Sequence, residues 1–342
     1  MAVFSPGVRA LSGTTPPPSL NCRGFSPPSL PRQDTGGRAL TTNTISPLIA
    51  IRIVGGNTGT GVFKRDEEAY DALVNINNIP ELKAESESPA MSLGANVSIT
   101  DAIHFFARAG RSDPRWSAVS KHLSLIASVG VRNQGTLVGN LMMKNAHNDF
   151  PSDVFISLET VGATLEIVTS TGAIEEVSVA QFVTHDMNRK FVKTIKFPPS
   201  KQVTPSQAQR VRAGRMWFSV GPRIAPRASK TFIKTFKIMP RSSNAHAYVN
   251  AGFLANVDVE NNFQVVGKPT IIFGGINETF CHAEQTESFL ESKNMNDHAM
   301  FLSALDILES ELEPSEDPVL AAPQYRRQLA LALFYKVSSQ PC

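Results

Sequence analysis

The run Ile51-Arg52-Ile53-Val54-Gly55-Gly56-Asn57-Thr58-Gly59-Thr60-Gly61 joins a short β-branched stretch to a segment with four glycines in seven residues. A strand that stops in a glycine-rich loop is the direct reading. Glycine tolerates positive φ and lets the backbone approach a neighbour closely, so successive N–H groups can turn toward a diphosphate. Asn57 and Thr58 add side-chain donors. The loop is not a Walker A loop, because no Gly-Lys-Ser/Thr follows, and it is not a clean G-x-G-x-x-G. Taken alone, it serves equally well as a plain turn.

Two further stretches share its chemistry. Val131-Arg132-Asn133-Gln134-Gly135-Thr136-Leu137-Val138-Gly139-Asn140 again mixes glycine, hydroxyl and amide groups, and Asp149 lies nine residues on. Two anion-cradling loops suit a dinucleotide with two phosphates, and a nearby Asp can accept from a ribose hydroxyl. Thr235-Phe236-Lys237-Ile238-Met239-Pro240-Arg241 precedes Ser242 to Ala247. Lys237 and Arg241 there suit a phosphate or the edge of a bound ring. A solvated basic turn is the equal alternative.

Around these stretches the texture is that of a globular protein. The chain has 342 residues, 42% hydrophobic and 18% charged, a length suited to two domains. Residues 1–49 hold eight of the 23 prolines amid Ser, Thr and Gly, without apolar periodicity. They read as a disordered low-complexity tail, and their prolines oppose the amphipathic helix of a transit peptide. Strands are expected at Met91–Leu93, Ala163–Val168, Glu176–Val179, Phe191–Phe197, Tyr248–Val257 and Pro269–Ile276. Helices are expected from a Thr100 cap onward, and at Trp116–Ile126, Asp297–Leu312 and Gln324–Val337. Residues 199–232 are rich in Pro and Arg and read as a basic linker or insertion. No Asp or Glu occurs between Asp186 and Asp258.

Composition also excludes. The net charge of +3 is matched by the tail alone, with Arg9, Arg23, Arg32 and Arg38 against Asp34, so a nucleic-acid partner is disfavoured. No apolar run reaches membrane-spanning length. Cys22, Cys281 and Cys342 are far apart, which speaks against a disulfide framework, a metal site and an iron–sulfur site. A reducing, cytoplasmic compartment follows by default. His104 and His122 read as exposed or satisfied side chains, His246 as a turn support and Cys281 as a buried, idle thiol. Phe105 and Phe106 read as core, and Trp116 and Trp217 as packing or loop residues. His147 keeps a cofactor-side role open.

Taken in order, IVGGNTGTGV (53–62), VRNQGTLVGNLMMKNAHNDFPSDVFISLETVGATLEIV (131–168), TFKIMPRSSNAHAYVNAGF (235–253), IIFGGI (271–276) and YRRQLALALFYK (325–336) resemble a known family. They look like the flavin segment of the molybdenum hydroxylases, the xanthine dehydrogenase and aldehyde oxidase proteins, with insect aldehyde oxidases the nearest likeness. The resemblance covers roughly residues 50–198 and 233–340. It implies an α+β architecture. A PCMH-type FAD-binding domain of two α/β subdomains spans 50–198. A flavoprotein C-terminal domain, a small antiparallel sheet with helices, spans 233–340.

By motif match the resemblance implies non-covalent FAD. Ile53, Val54, Gly55, Gly56, Asn57, Thr58, Gly59 and Thr60 would line its pyrophosphate and ribityl part. Thr136, Gly139 and Asn140, with the backbone of Leu137 and Val138, would form the second phosphate loop. Asp149 would serve the adenosine side. Ile126 and Val192 would lie against the flavin, Ile126 in place of a frequent aromatic residue, and Lys237 near the isoalloxazine. No catalytic acid–base pair and no metal ligand is implied.

The family's iron–sulfur (2Fe-2S) modules and molybdenum-cofactor domain have no counterpart in the sequence, nor has the first strand and helix of the usual FAD domain. The chain therefore reads as a truncated relative. In full-length relatives, FAD takes electrons from iron–sulfur clusters and passes them to O2 or NAD, and the enzymes are homodimers. Asn244 and Ala245 stand where dehydrogenases tend to carry acids, which leans toward an oxidase. The alternative is a non-catalytic remnant or an FAD-binding subunit without independent turnover.

Overall fold

The computed structural model describes residues 51–62, 70–88, 90–199, 229–316 and 321–338. The expected tail at 1–49, the core of the basic insertion at 200–228 and Trp217 lie outside the described residues. Strand β1 (Ile51–Val54) pairs in parallel with β2 (Ala72–Asn75), in the register Ile51↔Ala72 to Val54↔Asn75. Parallel pairs are normally covered on both faces. Here Ile51, Ile53 and Val74 are exposed, and Leu73 is 66% exposed.

After β3 (Glu85–Ser86) and β4 (Ser92–Gly94) comes α1 (Ile99–Ala109). Its cap is Ser98, not Thr100. Ser98 holds the extended backbone that a cap needs, and its hydroxyl accepts the Asp101 N–H. Thr100 lies inside the first turn and donates to Asn133 Oδ1 at 2.7 Å. Helix α2 (Pro114–Leu123) starts earlier than expected, with Asp113 as cap and Pro114 in its first turn. It stops at Leu123, and the turn beyond it carries Ala127 at φ 45°.

The second glycine stretch is largely helical. Helix α3 (Val129–Gln134) and α4 (Leu137–Ala146) flank Gly135, and Thr136 caps α4 by accepting the Gly139 N–H at 2.9 Å. Helix α5 (Asp153–Thr160), capped by Ser152, leads to β5 (Thr164–Val168), β6 (Ile174–Ser178), α6 (Val179–Phe182) and β7 (Phe191–Lys196). The strands form one antiparallel sheet in the order β3-β4-β7-β5-β6. Leu93, Leu165, Ile167 and Ile195 alternate inward against Phe105, Phe106 and Trp116.

Strand β8 (Ser229–Ile238) pairs along its whole length with β9 (Val249–Asp258). On the other side of β9 lie β10 (Gln264–Val265) and β11 (Thr270–Gly274), and β12 (Cys281–His282) follows β11. The Lys237 segment is thus a strand, where the sequence offered a turn. Helices α7 (Glu284–Leu290), α8 (His298–Glu311) and α9 (Pro323–Ser338) complete the described chain. The period of two divides the sheet between two cores. Ala251, Phe253, Ile271 and Phe273 join Phe301 and Phe334 under the C-terminal helices. Ile233 and Ile272 join the first core on the other face, where α2 meets β8 and α5 meets β9. Gly252 is required there, because a Cβ would overlap the Thr160 hydroxyl. Among the described residues no helix is long and apolar enough to cross a membrane.

His282 ties the same two layers together. Its Nε2 is 3.3 Å from Glu159 Oε1 on α5, and its Nδ1 is 3.1 Å from Glu287 Oε1 on α7. Burial opposes the imidazolium, but the hydrogen bonds it donates to both carboxylates outweigh it and raise its pKa to about 9. A raised folded-state pKa stabilises fully below the unfolded value of about 6.5 and is lost as pH climbs through about 9. The wild-type protein is therefore expected to lose about 2 kcal/mol between those limits, after allowance for solvent screening. His282→Gln should flatten this slope in urea melts. An unchanged slope in the variant would refute the assignment.

Candidate functional site

Strand β1 ends because Gly55, Gly56 and Asn57 turn the chain. Asn57 sits at φ 51°, a conformation that Asn tolerates better than most residues. A short 3-10 turn, Thr58–Gly61, follows, and the Thr60 hydroxyl donates back to Asn57 O at 3.0 Å. Asn77 Nδ2 holds the loop from behind by donating to Gly55 O at 3.2 Å.

The two glycine loops meet backbone to backbone. A Cβ at Gly56 would occupy the position of the Gln134 carbonyl oxygen and lie 3.0 Å from Gly135 N. A Cβ at Gly135 would stand 3.0 Å from Thr58 Oγ1, and one at Gly59 would stand 2.9 Å from Met143 Sδ on α4. Beside this junction opens a cleft of about 340 Å3, lined by Gly55, Gly56, Asn96, Asn133, Gln134 and Thr136 among others. Its walls combine amides and hydroxyls with three charged side chains, Lys83, Glu85 and Asp101.

Two features bear on how a dinucleotide would fit here. The N–H groups of Gly56, at the cleft, and of Asn57 and Thr58, on the loop beside it, have no acceptor among the described residues, so they are free to meet phosphate oxygens. Asn96 Nδ2 donates to Ile76 O and Asn77 Oδ1, each at 3.2 Å, which fixes the amide orientation. Its Oδ1 is then a buried acceptor without a partner under Gly55. Unfilled donors on one loop and an unfilled acceptor beneath it suit a ligand that carries both phosphates and hydroxyls. The residues present fit FAD.

The remaining expected residues lie in different settings. Gly55, Gly56 and Thr136 line the cleft, and Thr58 and Gly59 abut the loop and helix behind it. Ile53 is an exposed residue of β1. Leu137 and Val138 are buried at the start of α4, and Asn140 Oδ1 accepts from Ser152 at 2.6 Å. Asp149 is exposed on a turn that Lys144 holds by donating to Asn148 O. Burial lowers the Lys144 pKa to about 8 against the pull of Asp149. Ile126 and Val192 are buried in the first core.

Lys237 is enclosed rather than presented to the cleft. Its side chain is 2% exposed, with Nζ 2.8 Å from Asp153 Oδ2 and donating to Leu125 O at 3.0 Å. Asn250 Nδ2 donates to Asp153 Oδ1 at 3.0 Å, and His122 Nε2 lies 3.4 Å from the same oxygen. Burial alone would raise the Asp153 pKa, but His122 and Lys237 hold it below the usual carboxylate range. Burial also lowers the His246 pKa. Arg241 closes its own loop through Ser243 O and Asn244 O. Cys281 is raised to about 11 by burial, consistent with an idle thiol.

Asn77, Asn96 and Asp153 carried no signal in the sequence. Their partners are distant in the chain, and a Pro-Ser-Asp run reads only as a helix start. His122 was grouped with His104, but the structure separates them: His104 is exposed and His122 is buried.

Residues 42–200 match the family described as FAD binding domain in molybdopterin dehydrogenase, and residues 234–340 match the CO dehydrogenase flavoprotein C-terminal domain. The chain is 28% identical to an indole-3-acetaldehyde oxidase of Arabidopsis thaliana, over 84% of this chain and 20% of that protein. It is 30% identical to probable aldehyde oxidase 3 of Oryza sativa subsp. japonica, over 85% of this chain and 19% of that protein. The chain thus spans about a fifth of the curated relatives it matches. Its fold is similar to that of quinoline 2-oxidoreductase from Pseudomonas putida 86, with a TM-score of 0.64, 22% identity, and coverage of 84% of this chain and 88% of that one. It is also similar to that of CO dehydrogenase from Oligotropha carboxidovorans, with a TM-score of 0.63, 17% identity and the same coverage.

Proposed function

The chain belongs to the flavin segment of the molybdenum hydroxylases, and on that premise we propose that it holds FAD non-covalently at the junction of its two glycine loops. The observation that carries this reading is the backbone contact of Gly56 with Gln134, beside N–H groups that lack protein acceptors. Ile53 to Thr60 would take the pyrophosphate and ribityl part, and Thr136 to Asn140 the second phosphate. Asp149 would face the adenosine side. Ile126 and Val192 would back the ring from the packed core. Lys237 would bear on it through the structure that it holds. We read 50–198 and 233–340 as the two domains that frame the site.

FAD supplies the one- and two-electron exchange that amino-acid side chains lack. The protein's part is to bind, to orient and to keep water from the buried side of the site. No side chain is assigned as a general acid or base. Iron–sulfur and molybdenum modules would act as electron-delivering partners, in the cytoplasm and within a homodimeric assembly. Asn244 and Ala245 favour O2 over NAD as acceptor, because neither is acidic.

Purified protein incubated with excess FAD and desalted is expected to keep visible flavin bands. Gly59→Val, whose side chain would press on Met143, should reduce the retained flavin about tenfold with the fold intact. Protein that stays colourless after loading would leave a fold without its cofactor and refute the proposal.

A further inference from the structure

We infer that Lys237 is a positioning residue for the nucleotide cleft, setting the Gln134–Thr136 loop through the turn at 125–127 and α3 without lining the cleft itself. The inference rests on the cleft being the FAD site and extends it to the C-terminal sheet.

Three successive carbonyls in that turn are held by three different elements. Leu125 O accepts from Lys237 Nζ on β8, 112 residues away, at 3.0 Å. Ile126 O accepts from Arg132 Nη1 on α3 at 2.6 Å. Ala127 O accepts from the Asn244 N–H of the β8–β9 connection at 3.4 Å. Between these holds Ala127 sits at φ 45°, in a region that costs an alanine about 1 kcal/mol. The surroundings impose that conformation.

Helix α3 starts directly after the turn. It has six residues, too few to fix its own place. Its far end is anchored by the Ile99 N–H on Gly135 O at 2.8 Å and by Thr100 on Asn133. Its near end depends on the clamped turn. Gln134, its last residue, is the one that Gly56 must pass. A displacement at Leu125 therefore reaches the junction of the glycine loops through one short rigid element. Asp153 fixes the Lys237 ammonium from the opposite side, and Asn250 and His122 fix Asp153.

The test compares Lys237→Met with the parent by hydrogen–deuterium exchange and FAD retention. Lys237→Met is expected to raise amide exchange across residues 128–136 about fivefold and to weaken FAD retention about tenfold, with an unchanged far-ultraviolet spectrum. Exchange in the remote helix α8 should change less than about twofold.

Equal exchange across residues 128–136 in Lys237→Met and the parent overturns the inference, as does an equal rise in α8. Should Lys237→Met fail to fold, the double variant Lys237→Met/Asp153→Asn removes the same bond without stranding a buried carboxylate. It should give the same local rise, and no rise there overturns the inference. If the parent never retains FAD, the exchange data still decide the coupling, and the FAD reading falls separately.

Discussion

Gly56→Ala is expected to abolish flavin retention and to destabilise the glycine-loop junction. The added Cβ would fall on the Gln134 carbonyl oxygen, a backbone atom that cannot rotate aside. Relief requires the two loops to separate. Both loops are held from behind, one by Asn77 on Gly55 O and the other by the Ile99 N–H on Gly135 O. Overpacking against fixed backbone costs about 1–3 kcal/mol, and separating the loops should weaken FAD binding at least about a hundredfold. Titration of the apo variant with FAD, followed by flavin fluorescence, reads the effect. Binding within about threefold of the parent would show that the contact has no part in the site.

Arg326→Met should be the most destabilising substitution in the C-terminal helices. Arg326 is fully buried, without an acidic partner among the described residues. Its guanidinium donates instead to Ala321 O at 3.0 Å, Gly275 O at 2.7 Å, Ile276 O at 2.8 Å and Ser315 O. It therefore pins the start of α9 to the turn after β11, where Gly275 sits at φ 80°. Methionine fills most of the volume but leaves those carbonyls without donors. At about 1–3 kcal/mol for each buried unsatisfied group, partly relieved by water, a loss of about 3–5 kcal/mol in urea melts is expected. Lysine at the same position should recover only part of it, because one ammonium cannot span four carbonyls. A loss below about 1 kcal/mol would mean that the turn is held by other contacts.

The glycine stretches were legible because close backbone approach leaves its mark as a missing side chain. Gly56, Gly59 and Gly135 all sit where a Cβ meets a neighbour within 3.0 Å. What the sequence could not separate was loop from helix around Gly135 and Gly139. Glycine at that spacing argues against helix, yet Thr136 caps α4 and its neighbours bury Leu137 and Leu141. The cap of α1 lies two residues before the expected Thr100, because Ser98 and Thr100 offer the same hydroxyl and only the backbone conformation distinguishes them.

Lys237 shows a deeper limit. A cation in a Thr-Phe-Lys-Ile-Met run looks solvated, and the partner that lets it be buried, Asp153, lies on another element. Arg326 stands in a plain Tyr-Arg-Arg-Gln run, but the carbonyls that it gathers come from three separate segments. Polar burial is a tertiary fact, and periodicity does not carry it.

Strand β4 pairs with β7, Gly94 opposite Thr194, and the turn after α2 is closed by a lysine 112 residues downstream. During synthesis the first strands of the large sheet therefore leave the ribosome several seconds before the strand that completes it, at about 5–20 residues per second. Through that interval Leu93, Val97 and Ile99 have no finished core to enter. The nascent N-terminal half is thus expected to be the most aggregation-exposed species, because its sheet closes only through long-range pairing.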